Sequence, residues 1–235
     1  MRPAAEAKTE RTAAALRHSA GVRITHWLIA FSVLDLLVSG VEILVAHPRL
    51  YWGETGAVGT PSLVDLPIPF IIGLSPWNRP IHFFFVWALV LSGTAYVLAS
   101  LFTRHLRNDL LPAKADLDWK PILGTITDHL RWRRTQADNA WSYNVVQRLT
   151  YLAVIFVLFP AVVWTGLAMS PALMSVFPGM VTVLGGYQSA RTLHFIFAFL
   201  ILIFLIVHLV MLLLVGFTSH VRAMLTGRIP QERAR

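Results

Sequence analysis

The chain has 235 residues, of which 56% are hydrophobic and only 14% are charged, and its formal net charge is +8. Soluble domains carry about 25% charged residues, so this composition favours a membrane protein. The absence of cysteine excludes disulfides, thiolate-held iron–sulfur clusters and covalently attached c-type haem, and leaves nine histidines as the leading metal ligands. The positive residues flank apolar segments and form no patch with interleaved aromatics, which indicates contact with membrane lipid and not with nucleic acid.

Four apolar segments are each long enough to cross the roughly 30 Å hydrocarbon core of a bilayer. Pro80 is a favourable first residue for the second segment, with Asn78 just ahead as a cap, and Pro160 should kink the third. We therefore predict an all-α integral membrane four-helix bundle. Its helices run from about Ile24 to Ala46, Pro80 to Phe102, Leu149 to Ser170 and Ala190 to Phe217.

Basic residues set the expected orientation. Seventeen of the 20 Lys and Arg residues lie before the first helix, between the second and third, or after the fourth. The positive-inside rule then places both termini and the middle loop in the cytoplasm. We expect a cytoplasmic N-terminal segment (residues 1–22), a transmembrane domain (23–218) and a cytoplasmic tail (219–235), with the first helix acting as an uncleaved anchor.

Histidines inside apolar helices usually mark function, because polar groups are costly there. His194 and His208 share the fourth helix and are 14 residues apart, so they point the same way within about 40° and differ in depth by about 21 Å. His26 begins the first helix and His82 begins the second. Topology then pairs His26 with His208 at the cytoplasmic level and His82 with His194 at the outer level.

Neutral imidazole is a good axial ligand for haem iron, and bundles hold cofactors between facing helices. We therefore predict two b-type haems stacked across the membrane. Gly40 shares the His26 face at the outer haem level, and Gly93 lies near the inner haem; both could admit a flat ring or simply allow close helix packing. Arg23, Arg79 and Arg191 lie near proposed ligands, where each could pair with a haem propionate or extend to the membrane surface.

Other polar features leave alternatives open. The outer loop from His47 to Arg79 is either an interfacial segment, with Tyr51 and Trp52 in an aromatic belt, or an apolar docking surface, and the two are compatible. His47 is an interfacial residue or acts near the outer haem or a partner. Asp35 and Glu42 face away from His26. They serve a proton path, a polar contact with a neighbouring helix, or a hydrogen bond from a protonated carboxyl group to Ser or Thr, and Glu42 could also simply face water.

The chain resembles the bacterial cytochrome b561/Ni,Fe-hydrogenase cytochrome b family, which includes the membrane subunits of formate dehydrogenase and thiosulfate reductase. The resemblance spans about Ala20 to Gly227. It rests on the following stretches: Arg23-Ile24-Thr25-His26-Trp27, the His194 and His208 pair, His47-Pro48-Arg49-Leu50-Tyr51-Trp52-Gly53, Arg79-Pro80-Ile81-His82-Phe83-Phe84 and Arg107-Asn108-Asp109-Leu110-Leu111-Pro112.

This resemblance implies a location in the bacterial inner membrane and haem b at the same four histidines. It further implies exchange with quinone or quinol near the cytoplasmic haem. It also implies a periplasmic oxidoreductase partner, often a molybdenum enzyme. The predicted function is thus that of a respiratory electron-transfer subunit. Two rival hypotheses are a stand-alone quinol-dependent reductase of superoxide or ferric iron, and a non-redox transporter or metal-binding membrane protein.

Overall fold

The computed structural model describes residues 19–56, 59–71, 75–103, 111 and 145–227. Most of the two terminal segments and nearly all of the basic middle loop lie outside these residues. The orientation expected from charge therefore stays a prediction.

Four long apolar helices dominate the described structure. By length and composition they can cross a membrane at Ala20–Val45, Asn78–Phe102, Val146–Ala168 and Tyr187–Leu214. The predicted helical membrane bundle is confirmed, and the chain is an integral membrane protein. The elements in chain order are α1 (Ala20–Val45), β1 (Arg49–Leu50), β2 (Val64–Asp65), α2 (Asn78–Phe102), α3 (Val145–Ala153), a π-helical turn (Val154–Leu158), α4 (Phe159–Ala168), α5 (Pro171–Val176), α6 (Gly179–Val183) and α7 (Tyr187–Thr226).

The helix starts differ from the predicted ones by a few residues. Helix α1 begins at Ala20, because the Ser19 hydroxyl caps it by accepting a hydrogen bond from the Val22 backbone N–H at 3.3 Å. Helix α2 begins at Asn78 with Trp77 in the capping position, so the prediction that Asn78 is the cap was wrong. Asn78 is already helical, and its side-chain oxygen accepts from the neighbouring Arg79 N–H.

The third spanning helix is continuous from α3 through the π-helical turn into α4. Pro160 has no N–H to donate to the preceding turn, so a regular α-helix would leave a carbonyl without its donor. The helix is wider just before this proline, where the Phe159 N–H donates to the Val154 carbonyl five residues earlier. The distortion expected at Pro160 therefore takes the form of a π-helical turn.

Packing inside the bundle uses small polar residues, whereas many large apolar side chains face outward. Ser32, Ser39 and Thr165 are buried, but Phe84 and Trp87 are more than 60% exposed. Lipid solvates large apolar groups well, so helices associate through small residues that allow close approach. The buried apolar cluster of Val33, Leu89 and Ile201 joins α1, α2 and α7.

Helix α7 extends well beyond the predicted end at Phe217. Gly216 interrupts its regular geometry with φ 131° and ψ 85°, a conformation that favours glycine, and the helix then continues to Thr226. The last turns come back to α1, where the Trp27 indole N–H donates to the Met224 carbonyl at 3.3 Å. Part of the predicted cytoplasmic tail is therefore helical and contacts α1.

The loop between α1 and α2 is attached to the start of α7. The Gly53 carbonyl accepts from the Gln188 and Ser189 N–H groups at 2.9 and 3.2 Å, and the Gly53 N–H donates to the Ser189 hydroxyl. Tyr51 is only 7% exposed and packs on Gly56, whereas Trp52 is 56% exposed. Tyr51 is thus buried within the protein, contrary to its expected place in an aromatic belt.

Candidate functional site

Two of the four predicted ligands meet at one end of the bundle. Helix α2 carries His82 and helix α7 carries His194, and their ring centroids are 6.3 Å apart with an interplanar angle of 66°. This end also carries the α1–α2 loop and the start of α7. We call it the His194 end, and the opposite end, which holds the start of α1, the His26 end.

Hydrogen bonds determine which nitrogen of His194 is available. Its Nδ1 lies 2.9 Å from the Val162 carbonyl oxygen and 3.1 Å from the Thr165 hydroxyl oxygen. A carbonyl can only accept, so Nδ1 carries the proton and Nε2 keeps its lone pair. Nε2 of His194 is therefore the nitrogen that could bind a metal ion.

The same reasoning applies to His82. Its Nδ1 lies 2.9 Å from the hydroxyl oxygen of Ser39, which is only 4% exposed. The Ser39 hydroxyl donates its own hydrogen to the Asp35 carbonyl at 2.7 Å, so it accepts from His82. Nε2 of His82 thus also keeps its lone pair, and a residue of α1 orients a predicted ligand on α2.

The separation of these two rings suits one metal ion between them. A first-row metal such as zinc lies about 2.0–2.1 Å from an imidazole nitrogen, so two imidazoles on opposite sides of one ion would have centres roughly 6.2–6.4 Å apart. The observed 6.3 Å falls within that interval. The donor set, two neutral imidazoles with fixed tautomers, is the set that axial haem ligation requires.

Glycines border both rings. A Cβ atom placed on Gly40 would lie 3.7 Å from Cε1 of His82, which puts Gly40 beside this ring. A Cβ on Gly166 would lie 3.1 Å from Cε1 of His194, tighter than an ordinary contact. Gly93 has no heavy atom within 4 Å of such a position, so open space lies beside it. The two predicted roles of Gly40 and Gly93 stay predictions.

His26 and His208 are placed near each other at the His26 end, close enough for the charge of one to act on the other. His208 stacks on Phe204 with ring centroids 5.8 Å apart, and it contacts Tyr151 edge-on. Nδ1 of His26 is buried and has no hydrogen-bond partner among the described residues. No described group therefore fixes the tautomer of His26, in contrast to His82 and His194.

The three predicted arginines have different surroundings. The Arg191 guanidinium donates to the backbone carbonyls of His47 and Arg49 and to the Gln188 side chain. It thus ties the α1–α2 loop to α7, a role that neither of its predicted alternatives included. Arg79 lies close enough to His47 to act on it electrostatically, and its pairing with a propionate stays a prediction. Arg23 donates to the Leu225 carbonyl at the His26 end.

His47 lies just after α1 at the His194 end. Partial burial lowers its pKa, and the positive charges of Arg191 and Arg79 lower that pKa further. His47 is therefore neutral at pH 7, next to two fixed cations. Asp35 and Glu42 are partly buried in α1, and no finding separates the roles predicted for them.

No group of three or more His, Cys, Asp or Glu side chains is arranged to hold a bare metal ion within the described ranges. Four of the described histidines instead lie in two pairs, His82 with His194 and His26 with His208. A haem needs only such a pair, since its macrocycle supplies the other ligands of the iron.

Fold and site together define an integral membrane protein with paired histidines between its helices. The model of the protein family described as prokaryotic cytochrome b561 matches residues 17–227 of the chain. The chain belongs to this family, whose members bind b-type haem, and the resemblance inferred from the motifs is confirmed.

A relative from Azospira oryzae is 30% identical over 201 residues, which cover 84% of this chain and 90% of the relative. Its name assigns it provisionally to a protein-methionine-sulfoxide reductase, as the subunit YedZ1. No solved structure gives a significant match to the chain.

Sequence reasoning missed several residues around the histidines. Ser39 contacts the His82 ring, whereas Thr165, the Val162 carbonyl and Gly166 lie next to the His194 ring. The available signal was the presence of hydroxyl and glycine residues in helices that are otherwise apolar. That signal is weak, because the same residues also serve ordinary helix packing.

Proposed function

We propose that this protein carries electrons through two b-type haems between the quinone pool and an oxidoreductase on the periplasmic side, with both termini in the cytoplasm. One haem would be held by His82 and His194 and the other by His26 and His208. The observation that supports this most strongly is the His82–His194 pair, with its 6.3 Å ring separation and its two fixed Nδ1–H tautomers. A bound haem supplies reversible one-electron oxidation and reduction.

The chain contributes position and electrostatics to this chemistry. Helix α7 carries one ligand of each pair about 21 Å apart along its axis, so the two sites lie at two depths. Ser39 and the Val162 carbonyl accept from the imidazole N–H groups and thereby increase the electron donation of the opposite nitrogens. All four histidines are partly buried in helices that are otherwise largely apolar.

The relative's name supports a direction for the electrons. If the partner reduces methionine sulfoxide, each turnover consumes two electrons and two protons and yields a sulfide and water. A quinol supplies two electrons and releases two protons when it becomes a quinone. Electrons would then leave from the His194 end, where the α1–α2 loop is available for contact with the partner. The family resemblance implies a molybdenum-containing enzyme as the class of partner.

The proposal is tested with purified protein in lipid nanodiscs. We expect the optical spectrum of a b-type haem and reduction of that haem by a short-chain quinol. We also expect its reoxidation when a periplasmic methionine-sulfoxide reductase and a methionine sulfoxide peptide are added. A protein without haem bands would support the transporter hypothesis. A protein that reduces superoxide or ferric iron alone, and passes no electrons to a partner, would support the stand-alone reductase.

A further inference from the structure

Three methionines lie together at the His194 end, in the segment that joins the last two spanning helices. They are half of the six methionines in the chain. All three pack against the same group of buried side chains, which consists of Ala168, Val181 and Ala190. We call the three residues the methionine cluster: Met169, Met174 and Met180.

The methionine cluster lies outside the segments that can cross the membrane. The third of these segments ends at Ala168 and the fourth begins at Tyr187, so the cluster lies in the connection between them. The short helices α5 and α6 carry Met174 and Met180, and all three residues of the cluster are partly exposed. Water-soluble reagents can therefore reach these sulfur atoms. Met211, in contrast, lies within the fourth segment.

The buried side of the cluster lies close to the residues that hold His194. Thr165 and Gly166 lie next to the His194 ring, and both belong to the last turn of α4. Ala168 ends that helix and is only 1% exposed. Ala190 is 0% exposed and precedes His194 on α7 by about one helical turn. The cluster therefore packs against the two helix ends that position this histidine.

Methionine differs from other apolar residues because its sulfur can be oxidised reversibly. Hydrogen peroxide transfers one oxygen atom to the thioether, which becomes a sulfoxide, and the peroxide leaves as water. The sulfoxide is polar, so its contact with buried apolar side chains is unfavourable. Reduction with two electrons and two protons restores the thioether and releases water, and the proposed partner catalyses this class of reaction.

We propose that the methionine cluster is a site of reversible oxidation that controls how firmly the protein holds the haem at His194. The thioethers pack against Ala168 and Ala190 and so fix the end of α4 and the start of α7. The sulfoxides weaken these contacts, and the position of the His194 ring becomes less fixed. The effect on the haem rests on the proposed function, whereas the oxidation itself does not.

The first test maps oxidation by mass spectrometry. Protein in nanodiscs is treated with a limiting amount of hydrogen peroxide, and the sulfoxide is quantified at each methionine. We expect Met174 and Met180 to be oxidised at least fivefold faster than Met211, because lipid covers the segment that holds Met211. Equal rates at these three residues would overturn the proposed site.

The second test compares haem loss to apomyoglobin before and after peroxide treatment. In the unsubstituted protein this loss should become at least fivefold faster, and a methionine-sulfoxide reductase with dithiothreitol should restore the slow rate. The triple variant Met169→Leu, Met174→Leu, Met180→Leu keeps apolar side chains of similar size without sulfur, so its rate should not respond to peroxide. Its matched control, Met211→Leu combined with Met224→Leu, should respond as the unsubstituted protein does.

Equal sensitivity of the triple variant and the unsubstituted protein to peroxide would overturn the proposal. So would haem loss that stays fast after the sulfoxides have been reduced. If the triple variant does not fold, the oxidation map and the recovery of the unsubstituted protein still decide the question. If the unsubstituted protein binds no haem, the proposed function fails, while mass spectrometry still tests the oxidation site.

Discussion

The hydroxyl oxygen of Ser39 in α1 lies 2.9 Å from Nδ1 of His82 in α2. It is the hydrogen-bond partner that fixes the tautomer of this histidine, while His194 has two such partners, Thr165 and the Val162 carbonyl. The two ligands of one proposed haem are therefore supported to different degrees, and the difference can be measured.

Ser39→Ala should raise the midpoint potential of one haem by tens of millivolts, on the scale where 59 mV is a tenfold change in a one-electron equilibrium. Without its acceptor, the imidazole donates less electron density and stabilises ferric iron less. Thr165→Val should have a smaller effect, because the Val162 carbonyl remains. Ser92→Ala is the control, since the buried Ser92 hydroxyl bonds only to backbone carbonyls of its own helix. Equal shifts in all three variants would contradict this account.

Gly166→Ala should disturb the His194 ring, whereas Gly93→Ala should not. The added methyl group at Gly166 would lie 3.1 Å from the ring, but at Gly93 it would meet no atom within 4 Å. We expect Gly166→Ala to lower haem content or broaden the haem absorption bands, at a cost of about 1–3 kcal/mol for overpacking. Haem loss from Gly93→Ala alone would contradict this prediction and favour a haem packed against Gly93.

Arg191→Lys should loosen the α1–α2 loop from the start of α7. A lysine cannot reproduce the forked contacts with two carbonyls and Gln188, and hydrogen bonds to charged groups contribute about 1.5–3 kcal/mol each. We expect a lower midpoint of thermal unfolding and faster proteolysis within the loop. Arg49→Lys is the control, because its exposed 3.3 Å ion pair with Asp65 is of a kind worth about 0–1 kcal/mol. Equal effects of the two substitutions would argue against the anchoring role.

His47 should make the protein less stable as the pH falls. Its pKa in the folded protein is lowered by partial burial and by Arg191 and Arg79, so the unfolded chain binds the proton more readily. The stability that depends on neutral His47 is present above about pH 6.5 and decreases as the pH falls through the folded-state pKa. Between pH 7.5 and 5.5, the midpoint temperature of thermal unfolding should fall less in His47→Asn than in the unsubstituted protein. If the midpoint temperatures of the two proteins change with pH in parallel, this prediction is wrong.

Much of the scaffold was predictable because it depends on properties that can be counted along the chain. Hydropathy located the four helices, and the 14-residue interval between His194 and His208 placed them on one face of one helix. The hydrogen-bond partners of the histidines were harder to predict from the sequence. Whether Ser39 reaches His82 depends on the rotation of α1 against α2, and the sequence does not specify that rotation.

The end of α7 and the role of Arg191 were also beyond sequence reasoning. Hydropathy falls after Phe217, so the segment reads as a tail, although Gly216 turns it back to pack against α1. From the sequence, Arg191 looks like an interfacial residue. Its acceptors include backbone carbonyls of a distant loop, and since every residue has a backbone carbonyl, the sequence cannot indicate which ones accept.

The central claim, two haems held by two histidine pairs, is tested most directly by counting haem per chain as the pyridine haemochrome in single His→Ala variants. The account predicts two haems in the unsubstituted protein and one in each variant of His26, His82, His194 and His208. His220→Ala should keep two, because that side chain bonds to the Gly216 carbonyl of its own helix. Retention of both haems in His194→Ala or His208→Ala would contradict the account.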